Sequence, residues 1–297
     1  LSDVHGRWQW ADEEVDVRAA QERSQRVGGM LQVRYEEAEL KVAGMQLRCA
    51  LAHWLPGERQ LVLGGGVEGV DSSGAFSARH VEIDVDQKEL RARGQVRAQR
   101  GQAQLVGEEW REAWRQHRSH IVGNPARYRR DERHMEALRM DYARDDERVE
   151  ASGAVLFSEG ARMLGAQTMV YDSRRDVLRA GGGVSVKDNA WEGVLSGDSL
   201  FFDLSAERGW LSGTPQLRSR EENDLRWEAD SMYFDMAARA LVGDGQSALS
   251  SGHVRIHSQR SHYAAEAQRF AFVVGVVLER RTDGAVDGYR IEADSMV

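Results

Sequence analysis

The sequence is short of several things, and each shortage narrows what the chain can be. It holds one cysteine, Cys49, in 297 residues, so no internal disulfide staples the fold and the thiol does not reveal a redox compartment. Three prolines stand against 30 glycines, the balance expected where turns are made by positive φ rather than by rigid kinks. No apolar stretch approaches the ~20 residues that a spanning helix needs; the longest runs only from Phe270 to Leu278. Basic residues are also outnumbered, 40 Lys and Arg against 48 Asp and Glu, for a formal charge of −8. That balance argues against nucleic acid, whose binders gather Lys and Arg into patches.

What is present is a repeat. A small residue recurs about every thirty positions: Gly44, Ala78, Gly107, Ala137, Ala166, Gly197, Ala229 and Ala267. Three positions after each stands a large apolar side chain, Leu47, Val81, Trp110, Met140, Met169, Leu200, Met232 or Phe270. Two further on come Cys49, Ile83, Glu112, Tyr142, Tyr171, Phe202, Phe234 and Phe272. A period of two marks a strand with one apolar face, and Glu112 alone breaks the ladder. In five units a glycine follows the small residue by sixteen positions (Gly94, Gly123, Gly153, Gly182, Gly213), and flanking units reach Gly65 and Gly252. Two residues beyond the glycines stand Val67, Val96, Val155, Val184 and Val254, with Pro125 and Pro215 in the remaining units. Polar segments such as 84–88, 143–147 and 172–176 suit hairpin connections.

Each unit therefore reads as two strands and a turn. A fixed period of this length marks an array whose units bury their apolar faces by stacking on neighbours. About eight units at ~4.8 Å per rung give an interior of roughly 40 Å. Residues 1–40 fit the repeat least; the charged stretch Val15 to Glu39 could be read as helix, but Gly28-Gly29 interrupts it, and Val15 and Val17, then Leu31, Val33 and Tyr35, alternate as strands do. Residues 108–120 raise the question of a helix through Trp110 and Trp114; their gapless match to residues 198–210 favours strand.

Signals for chemistry are weak. Residues 64–69 satisfy a G-x-G-x-x-G pattern, yet that loop serves a dinucleotide only between a strand and a helix, and residues 70–74 read as a turn into another strand. His253 and His257 would stand ~13 Å apart on a strand, too far to share a metal ion. His262 lies near them. The acidic pairs Asp145-Asp146 and Glu221-Glu222 fall in turns, and no serine has a nucleophile-elbow context. A glycosidase needs paired carboxylates on one exposed face, and no unit supplies them convincingly. No catalytic residue, metal site or cofactor is expected, and Cys49 takes a buried apolar place.

The segment Glu136-Ala137-Leu138-Arg139-Met140-Asp141-Tyr142, a polar turn, then 149–155 resembles the OstA-like repeat of the lipopolysaccharide-transport family, LptA, LptC and the periplasmic domain of LptD. So do residues 165–172 and 229–235. Gly123-Asn124-Pro125-Ala126 resembles a segment preceding such a repeat in LptA, and the N-terminal third is closer to LptC. The resemblance implies an all-β, elongated OstA-like β-jelly-roll (β-taco), with a region 1–122 and a region 123–297 across a soft boundary. It implies a periplasmic bridge component that carries lipopolysaccharide, with acyl chains in an apolar groove, and end-to-end strand pairing with other Lpt-type proteins. The groove would be lined by Leu47, Val81, Ile83, Met140, Tyr142, Met169, Tyr171, Leu200, Phe202, Met232 and Phe234, with Val67, Val96, Val155, Val184 and Val254. The alternatives are a solid core at the same positions and a non-catalytic adaptor that binds proteins by edge-strand addition. Residues 292–296 repeat 228–232 and break off mid-strand, so a piece of a longer protein is expected, open to strand addition at its last rung.

Overall fold

The computed structural model describes residues 4–10, 13–55, 57–189, 191, 193–219, 225–252, 254–267, 269–280 and 290–296. Backbone contacts divide the chain into two compact units, Leu1–Ala151 and Ser152–Val297. In the first lie β1 (Val4–Trp10), β2 (Glu13–Ala19), β3 (Gln21–Val27), β4 (Met30–Val42), β5 (Met45–Leu55) and β6 (Gln60–Asp71). Then come β7 (Gly74–Asp84), β8 (Glu89–Arg100), β9 (Ala103–Ala113), a 3₁₀ turn Trp114–Gln116, β10 (Arg118–Arg130) and β11 (Arg133–Ala143). Strand β12 (Arg148–Glu159) crosses the division. The second unit holds β13 (Arg162–Asp172), β14 (Val177–Lys187), β15 (Gly193–Asp203), β16 (Arg208–Ser212), β17 (Gln216–Ser219) and β18 (Arg226–Glu228). It ends with β19 (Ser231–Asp235), β20 (Ala240–Ser251), β21 (Val254–Ala264), β22 (Arg269–Arg280) and β23 (Arg290–Met296). Among the described residues there is no α-helix, and the all-β reading holds throughout.

Pairing is antiparallel between successive strands from β4 to β11 and from β13 to β15 and β20 to β23. Most strands slip register near their middle, and there the chain bends. On β8 the slip falls at Gly94 and Gln95, both at positive φ; on β6 at Gly65 and Gly66; on β14 at Gly182 and Gly183. A bulge of this kind adds a residue and turns the strand. The buried faces on either side of it still point inward. On β8, Leu90 and Ala92 are buried before the bend, Val96 and Ala98 after it.

The bend corrects the repeat in one respect. The small residues Ala78, Gly107, Ala137, Ala166 and Gly197 lie in mid-strand rather than at a strand's start. A valine past the opposing bulge pairs with several of them: Val67 with Ala78, Val96 with Gly107, Val184 with Gly197. A Cβ on Gly107 would lie 2.6 Å from Ile121 Cγ2, so smallness there is a packing demand. Gly44 and Ala267 sit in turns instead. The pattern cannot distinguish them, because both halves of a bent strand carry the same period of two.

Turns close by local chemistry. Asp84, Asp172, Asp203 and Asp235 each accept a backbone N–H three residues on through Oδ1, the Asx geometry that suits a tight reversal. Residues 15–39 are mostly strand, divided among β2, β3 and β4 by a bend at Ala20 and a turn at Gly28-Gly29. The stretch 108–120 is mostly strand, interrupted at Trp114 by the 3₁₀ turn. Gly123, the expected soft boundary, lies inside β10, which pairs with both β9 and β11.

The bend can be tested in one unit. Gly182 stands at φ +79° with Gln167 Cβ 2.8 Å from where its own Cβ would be, whereas Gly183, at φ +72°, has open space. Ala at Gly183 bears only the left-handed backbone penalty, ~1–2 kcal/mol. Gly182→Ala bears that and a clash, so it is expected to lower the midpoint of chemical denaturation distinctly more than Gly183→Ala. Equal effects would mean the Gln167 contact does not constrain the bend.

Candidate functional site: the interior between two half-sheets

Because most of the long strands bend at their middle, their two halves belong to two half-sheets whose apolar faces meet. In the first unit one half-sheet includes 74–78 of β7 and 96–100 of β8; the other includes 80–84 and 89–93. Rings reach across the gap. Phe76 meets Trp110 with centroids 5.1 Å apart, and Tyr128 lies 6.2 Å from Tyr142. In the second unit the same crossing is made by Phe157 and Tyr171 at 5.9 Å, Trp191 and Phe234 at 5.8 Å, and Trp227 and Phe270 at 5.4 Å. Offset and edge-on pairs at these distances each stabilise by ~0.5–1.5 kcal/mol beyond burial.

The ladder residues form rows across the strands. One row runs Leu63, Val81, Ala92, Trp110, Ile121, Met140. In the second unit a row runs Met169, Ala180, Leu200, Leu211, Met232. Beside it lies another, Tyr171, Leu178, Phe202, Gly209, Phe234. Leu47, Val67, Ile83, Val96, Tyr142, Val155 and Val184 are buried as well, Tyr142 the most accessible of these at 5 %. Val254 is the exception and a correction. It is 37 % exposed, because Gly252 before it is a turn glycine and the bulge glycine of β20 is Gly245. Two residues past Gly245 stands Ser247, which is buried. Its hydroxyl and that of Ser261 both accept from the Trp227 indole Nε1–H at 2.9 Å, so the sequence's valine rule is replaced there by a polar triad.

At the rim, opposite the bend, arginines join the two half-sheets. Arg100, at the tip of β8, donates through Nη2 to Glu112 Oε2 at 2.8 Å and lies 3.6 Å from Asp71. Arg130 donates to Glu147 in the turn after β11, and Arg162 to Glu207 in the turn after β15 at 3.3 Å. Arg100 and Arg162 also cover the core rings Trp110 and Phe202, at 4.8 and 4.9 Å from their centroids, a favourable cation–π placement. Burial pushes the Glu112 carboxyl up, while Arg100 opposes that shift. Burial also acts to raise Asp71, but the Ser73 hydroxyl, Arg100 and the amides of Ser73 and Gly74 together hold it below the ordinary carboxylate range.

Glu112, the break in the ladder, is thus accounted for by Arg100, which sequence reasoning missed. The signal was available: an inward carboxylate requires an inward cation, and Arg100 keeps the inward parity of Ala98.

Residues 64–69 continue as strand β6, with no helix after them. Cys49 is buried at an inward position, its thiol pushed up to about 11 by burial. His257 and His262 lie on β21, while His253, Glu221 and Glu222 fall outside the described residues. Asp145 meets the His117 ring at 2.8 Å. Among the described residues no three metal-ligating side chains come together. A cavity of about 1270 Å³ follows the outer side of the bend in the first unit. Its lining is strongly charged, with Arg18, Glu39, Arg48 and Glu68 among it, which is unsuited to an acyl chain.

No protein-family model matches the sequence, and no curated protein matches it. Among solved structures the chain is similar to the crystal structure of LptH from Pseudomonas aeruginosa, described as the LptA homologous periplasmic component of the conserved lipopolysaccharide transport device. The two share 19 % identity over 38 % of this chain and 93 % of that one, with a TM-score of 0.37.

Proposed function

We propose that this chain is a non-catalytic periplasmic carrier of an amphipathic lipid of the lipopolysaccharide class, holding acyl chains between its two half-sheets. The observation that carries the reading is the apolar seam between half-sheets within each unit, lined in rows by Val81, Trp110 and Met140 in the first and by Met169, Leu200 and Met232 in the second, from a repeat that resembles the OstA-like one. A seam between two separate surfaces can part without breaking any strand pairing, because the backbone hydrogen bonds run within each half-sheet. Acyl chains entering it would exchange ring–ring contacts for ring–chain contacts of similar apolar character. Strand addition to other Lpt-type proteins belongs to the same proposal. Among the described residues β3 pairs only with β4, and β23 only with β22, leaving edges that accept a further strand.

A second reading is favoured by the tightness of the seam. With Met140, Met232, Phe202 and Phe234 fully inaccessible, the interior is also a sound solid core, and the chain is then an adaptor that binds proteins by its edges. Photo-crosslinking separates the two. A photoreactive residue in place of Tyr171 or Met232 is expected to capture lipopolysaccharide from cells or from purified micelles, and one in place of an outward residue such as Thr168 is not. Failure of every interior position to capture lipid, in folded protein, would leave only the adaptor.

A further inference from the structure

The rim of the first unit holds a second feature. A cavity of about 650 Å³ opens there, lined by Arg100, Arg130, Arg144, Tyr142, Gln102 and Glu147 among others. Three guanidiniums face it and one carboxylate. Arg100 is committed to Glu112 beneath the cavity floor, and Arg130 to Glu147 and, at 3.2 Å, to Gln102. Arg144 makes no side-chain hydrogen bond or ion pair among the described residues, although its charge reaches both Glu112 and Tyr142. The residues lining the cavity thus carry three positive charges against one negative, with Glu112 and Asp71 lying against Arg100, and one guanidinium fork, that of Arg144, is unused.

We infer that this cavity is an oxyanion site that takes a phosphate group, with Arg144 as its principal donor and Arg130 as a second that exchanges Glu147 for the ligand. A guanidinium presents paired N–H groups in a plane that matches two phosphate oxygens, and such charge-assisted bonds are about twice as strong as neutral ones. Arg100, locked by Glu112, contributes field rather than hydrogen bonds. The second unit shows by contrast what a rim without this site looks like: Arg162 is ringed by Glu159, Asp188 and Glu207, a setting that repels anions.

The site's place gives it meaning. It lies on the rim where the half-sheets of the first unit would part, so an amphiphile with its chains in the seam would bring its head group there. That source of phosphate rests on the lipid-carrying reading; free phosphate as the ligand does not.

The test uses the whole chain and two probes, each titrated calorimetrically in low salt. The first is inorganic phosphate. The second is lipid A in detergent micelles, beside lipid A stripped of its phosphates. Arg144→Gln, at a half-exposed and unpaired position, is expected to keep the melting temperature. It should weaken binding of the phosphate-bearing probe roughly tenfold, the effect of one charge-assisted hydrogen bond. Arg144→Lys, which keeps the charge and loses the fork, is expected to fall between. Binding of inorganic phosphate that responds to Arg144→Gln supports the site with a free oxyanion as ligand. A response seen only with lipid A, and absent with its stripped form, supports it with a head group as ligand. Should unmutated protein ignore inorganic phosphate and bind both lipids equally, the site is wrong while the carrier stands. If inorganic phosphate binds and neither lipid does, the site stands and the carrier falls. Phosphate binding that is indifferent to both Arg144 variants overturns the assignment.

Discussion

Phe234→Glu is expected to unfold the second unit rather than leave a polar patch in an intact fold. Phe234 is fully buried, with Phe202 at 5.3 Å and Trp191 at 5.8 Å between ring centroids. Its strand neighbours are Gly209 and Leu241, neither of which can pair with a carboxylate. Losing the ring alone costs ~3–5 kcal/mol, the usual range for a phenylalanine removed from a core. An unpaired buried carboxylate adds several kcal/mol more unless it takes up a proton. Together these approach the ~5–15 kcal/mol by which whole domains are stable. Phe234→Leu, which keeps apolar volume, should fold with a reduced melting temperature. The pair is read by circular dichroism and thermal melting. If Phe234→Glu melts within a few degrees of the unmutated protein, water already reaches that position, and the seam is an open groove.

The same position sets what an acyl chain would have to overcome if the proposed carrier function holds. Under the proposed carrier function, lipid entry would have to separate Phe234 from Trp191 and Phe202 from its cover, Arg162. The energy of doing so is recovered only where the chain fills the gap as densely as the rings did, since packing in such interiors is close to crystalline. A seam closed by aromatic pairs at intervals is consistent with a carrier that stays shut when empty.

How much of this could be read from residues alone follows from which interactions are local. The alternation at Val81 and Ile83, or at Leu200 and Phe202, is set within one strand, so it announced both strand and buried face. Gly94 and Gly182 recur at one point of the unit because only glycine takes positive φ there without strain, so their spacing was visible although the bend they make was not. The bend changes what the glycines mean. Without it, Gly252 looked equivalent to Gly182, and Val254 looked inward. With it, Gly245 is the matching residue and Ser247 faces the core. Contacts across the seam were the least legible. Nothing in the neighbourhood of Phe76 signals Trp110, and the partner of Glu112 lies on the opposite half-sheet. Such pairs depend on the tertiary meeting of two faces, which a repeat implies in general and does not assign residue by residue.

The Arg100–Glu112 pair gives the second large effect. Arg100→Met should destabilise the protein by ~3–5 kcal/mol, because it strands a buried carboxylate. The double variant Arg100→Met with Glu112→Leu should recover most of that loss, since an apolar pair of similar volume avoids the desolvation of two charges. Strand β9 would then carry an apolar residue at every ladder position, as the other units do. The pH dependence gives an independent check. In Arg100→Met the Glu112 carboxyl keeps the upward push of burial and loses its main opposing charge, so its folded value lies above the unfolded one. The folded state then binds more protons than the unfolded state as pH rises from about 4, the ordinary carboxylate value, and stability falls over that interval. The single variant should therefore melt progressively lower between acid and neutral pH, and the double variant should not share that loss. Denaturant midpoints at several pH values, taken for the four members of the cycle, measure both effects. If the single variant is as stable as its parent at neutral pH, Glu112 has found water, and the rim is open where the structure closes it. If the double variant is no more stable than the single one, Arg100 acts through its cover over Trp110 rather than through Glu112. In that case the rim is held by stacking, and removing the carboxylate cannot restore it.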